Sequence, residues 1–393
     1  MHKTAKQQQE VTSLHDLSAV DLIAGYKTKQ FSPSEVLEDV IAHVARWEPH
    51  IKALYLFDAD SARKVAKAST DRWNNGEPTG VLDGVPVTIK DNIATKGQPI
   101  PLGAASVPLV AAERDAPPAA RLREAGAVIF AKTTMPDYGM LSSGLSSFHP
   151  LARNPWDLSK NPGGSSSGAG AAGAAGYGPL HLGTDIGGSV RLPACWCGLV
   201  ALKPSLGRVP IDPPYVGRVA GPMTRTVDDA ALMMSVLSKP DRRDGMSLPA
   251  HDINWKALDK SPRKLRFGLM WEAAGQPLEK PVRDVVVKAA KAFEAAGAVI
   301  TEVRLSAEDA SVSRDIAFSL RRGFLLTGAT TLVASGTSSG TGIGTRVFPL
   351  ALSHTVDNST SSYTLLVSYT QPSDGTIVFN GVRITYTVTS PLP

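Results

Sequence analysis

Twice in this chain a helical segment is closed by glycine and followed at once by a short apolar run of strand length. Residues 117–125 read as a helix closed by Gly126, with Ala127-Val128-Ile129-Phe130-Ala131 next. Later, Pro281 opens a helix that runs through Ala296, Gly297 closes it, and 298–303 forms the following strand. Another apolar run, 264–270, stands just before that helix. Parallel strands cannot be joined by a tight turn, so strand, helix and strand in this order predict a parallel pair with a crossover. The class is α/β, and the expected architecture is a mixed sheet covered by helices over residues 11–322.

The N-terminal part supplies covering helices. Ser32-Pro33-Ser34-Glu35 reads as a capping box with proline in the first turn, and Val36, Leu37, Val40, Ile41 and Val44 follow on one face. An earlier amphipathic helix is expected over 18–27, and Gly84-Val85-Pro86-Val87-Thr88-Ile89 reads as a buried strand. At 393 residues the chain is long enough for a large core, with 42% apolar and 20% charged residues, as in globular proteins. The net charge of +5 is spread without a dense run of Lys or Arg, so no nucleic-acid partner is expected. Residues 1–10 carry no apolar segment behind their basic residues, and no run of about 18 apolar residues occurs, so neither a signal peptide nor a membrane span is expected. The two cysteines, Cys195 and Cys197, read as buried thiols on alternate faces of a strand, which opposes a disulfide and fits a cytoplasmic protein.

Composition breaks near Gly323. From 323 to 393 there is no Lys and no Glu, and about a third of the residues are Ser or Thr. Residues 364–369 and 382–388 read as strands around the turn Pro372-Ser373-Asp374-Gly375. This β-rich tail is expected to be either a small β-hairpin module or a segment foreign to the domain before it, and not more of the same α/β core.

Three stretches carry candidate chemistry. Asp185-Ile186-Gly187-Gly188-Ser189 sets two glycines before a serine, and amides in such a turn can converge on a developing oxyanion. A plain glycine turn is the alternative. Gly164-Ser165-Ser166-Ser167-Gly168 matches the pattern of a nucleophile elbow centred on Ser166, but 157–162 is a poor buried strand to precede one. Gly168-Ala169-Gly170-Ala171-Ala172-Gly173 spells a dinucleotide fingerprint, yet serines stand where its strand should end. Its alanines instead support a short, closely packed helix. Lys90 ends an apolar run; it is either a snorkelling cap or, in a dry site lined by hydroxyls, a base of lowered pKa. The eight histidines include no metal-binding HExxH pattern.

Together the pieces are more specific than any one of them. Lys90 and Ser165 are 75 residues apart, and Ser165 and Ser189 are 24 apart. The strand at 84–89 runs on into Lys90-Asp91-Asn92. With Lys132-Thr133-Thr134-Met135-Pro136-Asp137-Tyr138, Asn154-Pro155-Trp156, Cys197-Gly198-Leu199-Val200-Ala201-Leu202-Lys203-Pro204 and Gly221-Pro222-Met223, the chain resembles the amidase signature family from about Leu17 to about Leu248. The resemblance implies Ser189 as acyl-forming nucleophile, Ser165 (usually on a cis peptide bond in that family) as proton relay and Lys90 as neutral base. It further implies an oxyanion hole from the amides of Ile186, Gly187, Gly188 and Ser189, bracing by Asp185 and Arg191, and an acyl pocket near Gly139 and Met140. Neither metal nor organic cofactor is implied. The expected substrate is a small amide, aryl amide or carbamate, since aryl acylamidases and urethanases are similar; a glutamine-hydrolysing amidotransferase subunit is the alternative. The pattern stops at about Arg322, so either the C-terminal part is replaced and the core incomplete or the chain is a divergent member, and a catalytically impaired chain is a third reading.

Overall fold

The computed structural model describes residues 13–273 and 276–302 and the strand segments 316–324, 330–338 and 361–369. Two compact units divide between Leu258 and Asp259. The first carries helices α1 (Ala19–Thr28) and α2 (Pro33–Ile51), strand β1 (Leu54–Phe57), helix α3 (Ala59–Asn75), strand β2 (Pro86–Lys90), helix α4 (Pro117–Glu124) and strand β3 (Val128–Thr133). It continues with α5 (Ser167–Ala174), β4 (Leu180–Asp185), α6 (Arg191–Cys197), β5 (Val200–Ala201), β6 (Val219–Thr224) and α7 (Val227–Leu237). Its six strands form one mixed sheet in the order β1-β3-β2-β4-β6-β5. The three central strands β3, β2 and β4 run parallel, whereas β1 pairs antiparallel with β3 and β6 antiparallel with β4.

Local chemistry explains where the helices begin and end. Ser18 caps α1 by accepting from the Asp21 amide. Ser32 and Glu35 complete the capping box of α2, an arrangement that contributes about 1 kcal/mol. Gly126, at φ +86°, ends the α4 turn where a Cβ would strike the Asp83 backbone, and β3 begins two residues later.

Alternation along β2 then sets the site. Val87 and Ile89 point into a cluster shared with α1, α4 and α7, while β3 sends Val128 and Phe130 into a second cluster with α2, α3 and α5. Burying a side chain such as Phe130 contributes roughly 2 kcal/mol. Thr88 and Lys90 take the other face of β2 by the period of two. His181 of β4 donates from Nε2 to the Gly178 carbonyl and so accepts from the Thr88 hydroxyl at Nδ1, at 2.8 Å; burial holds its pKa down at about 3. A neutral polar pair therefore replaces a charge inside the sheet.

The second unit contains β7 (Arg266–Leu269), the short hairpin β8 (Glu272–Ala273) and β9 (Gln276–Pro277), α8 (Lys280–Ala295) and β10 (Val299–Glu302). β7 and β10 pair in parallel on either side of α8 in sequence, as the strand–helix–strand pattern predicts. The Phe267 and Phe293 rings pack with centroids 4.8 Å apart. β11 (Ile316–Phe324) lies between β12 (Thr330–Ser338) and β13 (Ser361–Tyr369), antiparallel to both. The expected strand at 364–369 thus falls within β13, while the turn at 372–375 and the strand at 382–388 lie outside the described residues. The compositional boundary at 322 falls within β11.

One expectation is corrected. Cys195 and Cys197 belong to helix α6 rather than a strand, and only Cys197 is buried; Cys195 is exposed and both thiols are free. Pro193 sits in the first turn of that helix, where its missing N–H costs no hydrogen bond. No helix among the described residues is long and apolar enough to cross a membrane.

Candidate active site

Lys90 ends β2 with its side chain wholly buried. The snorkelling alternative is thereby removed. Its Nζ lies 2.8 Å from Ser165 Oγ, 3.0 Å from Ser166 Oγ and 3.0 Å from Thr184 Oγ1. Removal from water lowers its pKa to about 7, against the pull of Asp91 and Asp185, and the Arg218 cation adds to the lowering. A primary amine whose partners are hydroxyls can accept a proton from one of them, because each hydroxyl can turn from acceptor to donor.

Ser165 follows a cis Gly164–Ser165 peptide bond. Gly139, at φ +72°, stands against it, since a Cβ at Gly139 would lie 3.2 Å from Ser165 Oγ. Glycine at 139 leaves that hydroxyl room, whereas its neighbour Met140 is 80% exposed. Ser166 is not presented as an elbow nucleophile. It is buried at the start of α5, where its hydroxyl donates to the Thr184 carbonyl and accepts from the Thr184 amide.

The glycines of α5 likewise belong to packing. A Cβ at Gly168 would meet the Ala53 and Thr134 backbones, and one at Gly170 would meet Pro193. The helix can sit this close to the strand ends only without side chains there. No strand ends just before Gly168, so the dinucleotide fingerprint lacks its structural context.

Ser189 lies in the turn that leaves β4 and is partly exposed. Its carbonyl accepts the Ser166 amide at 3.1 Å, tying the two serine segments together through the backbone. The Ser189 hydroxyl itself forms no hydrogen bond among the described residues. Asp185 organises the turn: its carboxylate accepts from the amides of Gly188 at 2.8 Å and Val190 at 3.0 Å and from the Arg191 guanidinium at 3.0 and 3.1 Å. Those donors hold its pKa at about 2 despite burial. The Gly188 amide is thus already engaged, which departs from its expected part in an oxyanion hole. Among the four expected amides, those of Ile186, Gly187 and Ser189 have no partner among the described residues.

Thr184 and Asn92 were not singled out from sequence. Thr184 Oγ1 receives both Lys90 Nζ and Asn92 Nδ2, each at 3.0 Å. Asn92 directly follows the Lys90-Asp91 pair at the end of its motif, which was the available signal. Other motif segments support this arrangement: Asn154 Nδ2 donates to the Trp196 carbonyl and Trp156 Nε1 to the Cys197 carbonyl, fastening their loop to α6. Gly221, Pro222 and Met223 lie in β6, opposite Gly183, Leu182 and His181 of β4. Among the described residues no three His, Cys, Asp or Glu side chains cluster as metal ligands would.

The family model for Amidase matches residues 35–362, beyond Arg322, where the signature pattern stops. The chain is 35% identical over 310 residues to a glutamyl-tRNA(Gln) amidotransferase subunit from Alkaliphilus metalliredigens, covering 76% of this chain and 62% of that protein. In structure it is similar to a bacterial aryl acylamidase of the amidase signature enzymes, with a TM-score of 0.69 and 35% identity over 75% of this chain and 62% of that one. It is also similar to the peptide amidase of Stenotrophomonas maltophilia, with a TM-score of 0.68 and 29% identity over 74% and 62% of the two chains. The chain therefore spans about three-fifths of the length of these relatives. With the mixed sheet, the ordered motifs and the family match in agreement, this chain belongs to the amidase signature family.

Proposed function

We propose that the chain hydrolyses the C–N acyl bond of a small amide, aryl amide or carbamate through an acyl-Ser189 intermediate. The observation that carries this reading is a buried lysine, Lys90, surrounded by hydroxyls, with Ser165 at 2.8 Å. A serine hydroxyl is a poor nucleophile at neutral pH and needs a base. In the proposed sequence Ser189 Oγ attacks the substrate carbonyl carbon and passes its proton to Ser165 Oγ, whose own proton moves to Lys90 Nζ. The amides of Ile186, Gly187 and Ser189 hold the tetrahedral oxyanion. Run in reverse, the relay protonates the leaving nitrogen, the C–N bond breaks and the ester on Ser189 remains. Water, deprotonated along the same path, releases the acid and restores the serine. Small-molecule substrates and a cytoplasmic location belong to this reading, with no nucleic acid, membrane or cofactor taking part.

A fluorophosphonate probe tests it: labelling should map to Ser189, and an unlabelled wild-type chain would count for the impaired-site reading. An amidotransferase role is favoured by the likeness to glutamyl-tRNA(Gln) amidotransferase subunits. Under that reading glutamine, and not anilides, would release its amide nitrogen as ammonia, and activity would be lost on purification of the chain alone. We propose further that residues 323–393 are foreign to the catalytic domain, on the change of composition at that point, against which stand the family match to residue 362 and the continuity of β11 across the boundary. Limited proteolysis should cut within them while sparing the core; equal resistance would overturn the boundary.

A further inference from the structure

Beside the proposed nucleophile turn stands Arg218, a cation with no counter-charge among the described residues. Strand β6 pairs with β4 so that Val219 faces Asp185, and Arg218 enters that register where Ile186 leaves β4. The neighbouring Gly217 backs onto Ile186, whose Cγ2 lies 3.8 Å from where a Cβ on Gly217 would stand. The Arg218 side chain is partly buried and folded over its own loop. Its Nη2 donates to the Pro213 carbonyl at 2.8 Å, its guanidinium lies 5.5 Å from the centre of the Tyr215 ring, and its amide donates to the Tyr215 carbonyl. All of these partners are neutral.

The nearby carboxylates are committed elsewhere. Asp185 is paired with Arg191, and Asp212 is paired with Arg114. Among the described residues Arg218 forms no ion pair. A partly desolvated guanidinium held in place by neutral groups is poorly compensated, and an incoming carboxylate that meets its fork compensates it with paired, charge-assisted hydrogen bonds. The exposed side chains nearby are apolar: Ile186, Tyr215 and Val216. They offer contact to the hydrocarbon part of such a substrate but no competing negative charge.

We infer that Arg218 is a specificity-determining residue that binds a carboxylate carried by the amide substrate, so that the preferred substrates are amphipathic acid amides rather than neutral ones. This inference rests on the hydrolase reading above for its kinetic test and stands apart from it in its binding test. For kinetics, glutaryl 4-nitroanilide is paired with valeryl 4-nitroanilide, which replaces the carboxylate by a methyl group. N-valeryl-4-aminobenzoate is paired with valeryl anilide to place the charge on the leaving half. In at least one pair the wild type should favour the charged member at least tenfold in kcat/KM. Arg218→Gln should erase that ratio, and Arg218→Lys should restore part of it. A ratio unchanged by Arg218→Gln, however far both rates fall, overturns the inference.

For binding, calorimetry of the same compounds on the Ser189→Ala chain should show the charged member bound at least tenfold tighter, a preference removed by adding Arg218→Gln. Equal affinities in both chains overturn the inference without any reference to turnover. A carboxylate preference that persists in binding, with no turnover and no probe labelling, instead sinks the hydrolase reading and leaves the anion subsite standing.

Discussion

Two lysines stand at the ends of neighbouring strands, both buried, and they are prepared for different work. Lys90 closes β2 and Lys132 lies near the end of β3, one step apart in the register of the parallel pair. Burial lowers both, to about 7 for Lys90 and about 8 for Lys132, and Asp91 opposes the lowering in each case. What separates them is the partner. Lys90 meets three hydroxyls, whereas Lys132 donates to the Ile93 carbonyl and lies 3.5 Å from Thr95 Oγ1. A carbonyl oxygen accepts but never donates, so it can hold an N–H but cannot feed a proton to a neutral amine. Desolvation alone therefore displaces a pKa; three hydroxyls suit Lys90 to the proposed base role, whereas the one hydroxyl near Lys132 donates to the Ile93 carbonyl. Lys132 is a strut between β3 and the 93–95 turn.

The largest expected effect divides the two residues outright. Lys90→Ala should lower kcat by roughly a thousandfold or more while the far-UV circular dichroism stays native, since the proposed general base is lost. Lys132→Met should lower stability by about 2–4 kcal/mol through its orphaned carbonyl and altered packing, with turnover per folded molecule within a few-fold of wild type. Near-normal turnover in Lys90→Ala would falsify the lysine-base mechanism. Next in size, Thr184→Val should reduce kcat about tenfold by removing one oxygen that orients Lys90 and Asn92, whereas the matching Thr95→Val beside Lys132 should leave kcat alone.

The pH dependence shares one sign for both and separates them by position and by whether rate or only stability responds. The proposed base works when neutral, so kcat/KM should rise with pH through about 7, where Lys90 loses its proton. Unfolded lysine binds its proton up to about 10.5, so between about 7 and 10.5 the unfolded chain holds more protons and Lys90 makes stability rise with pH. Lys132 adds to that rise only above about 8. Lys132→Met should therefore flatten part of the stability curve and leave the kinetic limb in place, as paired denaturation and rate profiles would reveal. A kinetic limb displaced as far by Lys132→Met as by Thr184→Val would erase the distinction. Smallest of all, Ser32→Ala should cost about 1 kcal/mol by loss of the α2 cap, seen as a fall of a few degrees in Tm with unchanged kinetics.

Much of the fold was legible because its signals are local. The Ser32–Glu35 cap, the glycine stops at 126 and 297, and the apolar run ending at Lys90 each declare an element within a few residues. β4 and β6 were harder to read, since His181, Gly183 and Gly221 interrupt apolar alternation, and their antiparallel pairing is a long-range fact. The α6 error has the same root: Cys-Trp-Cys alternates like a strand, and only the proline two residues after Arg191 hinted at a helix start. In the site, Lys90 and Ser165 come together as their motifs predict. Thr184 was missed because a threonine inside a buried strand usually signals packing, and its role depends on β2 and β4 lying side by side. Gly188 shows the opposite limit: the turn was recognisable, but which amides Asp185 claims depends on how the turn closes.

The direction of β6 has a consequence for how such a protein can be altered. β2 and β4 carry the chain toward the Lys90–Ser189 end of the sheet, whereas antiparallel β6 carries it away, so the 212–218 segment is delivered to that end before its strand begins. Residues can be added to or removed from this approach without changing the lengths that fix Lys90, Ser165 and Ser189. On the proposed reading, the chemistry and the choice of substrate lie on separate stretches of chain, so that variation in the second leaves the first untouched.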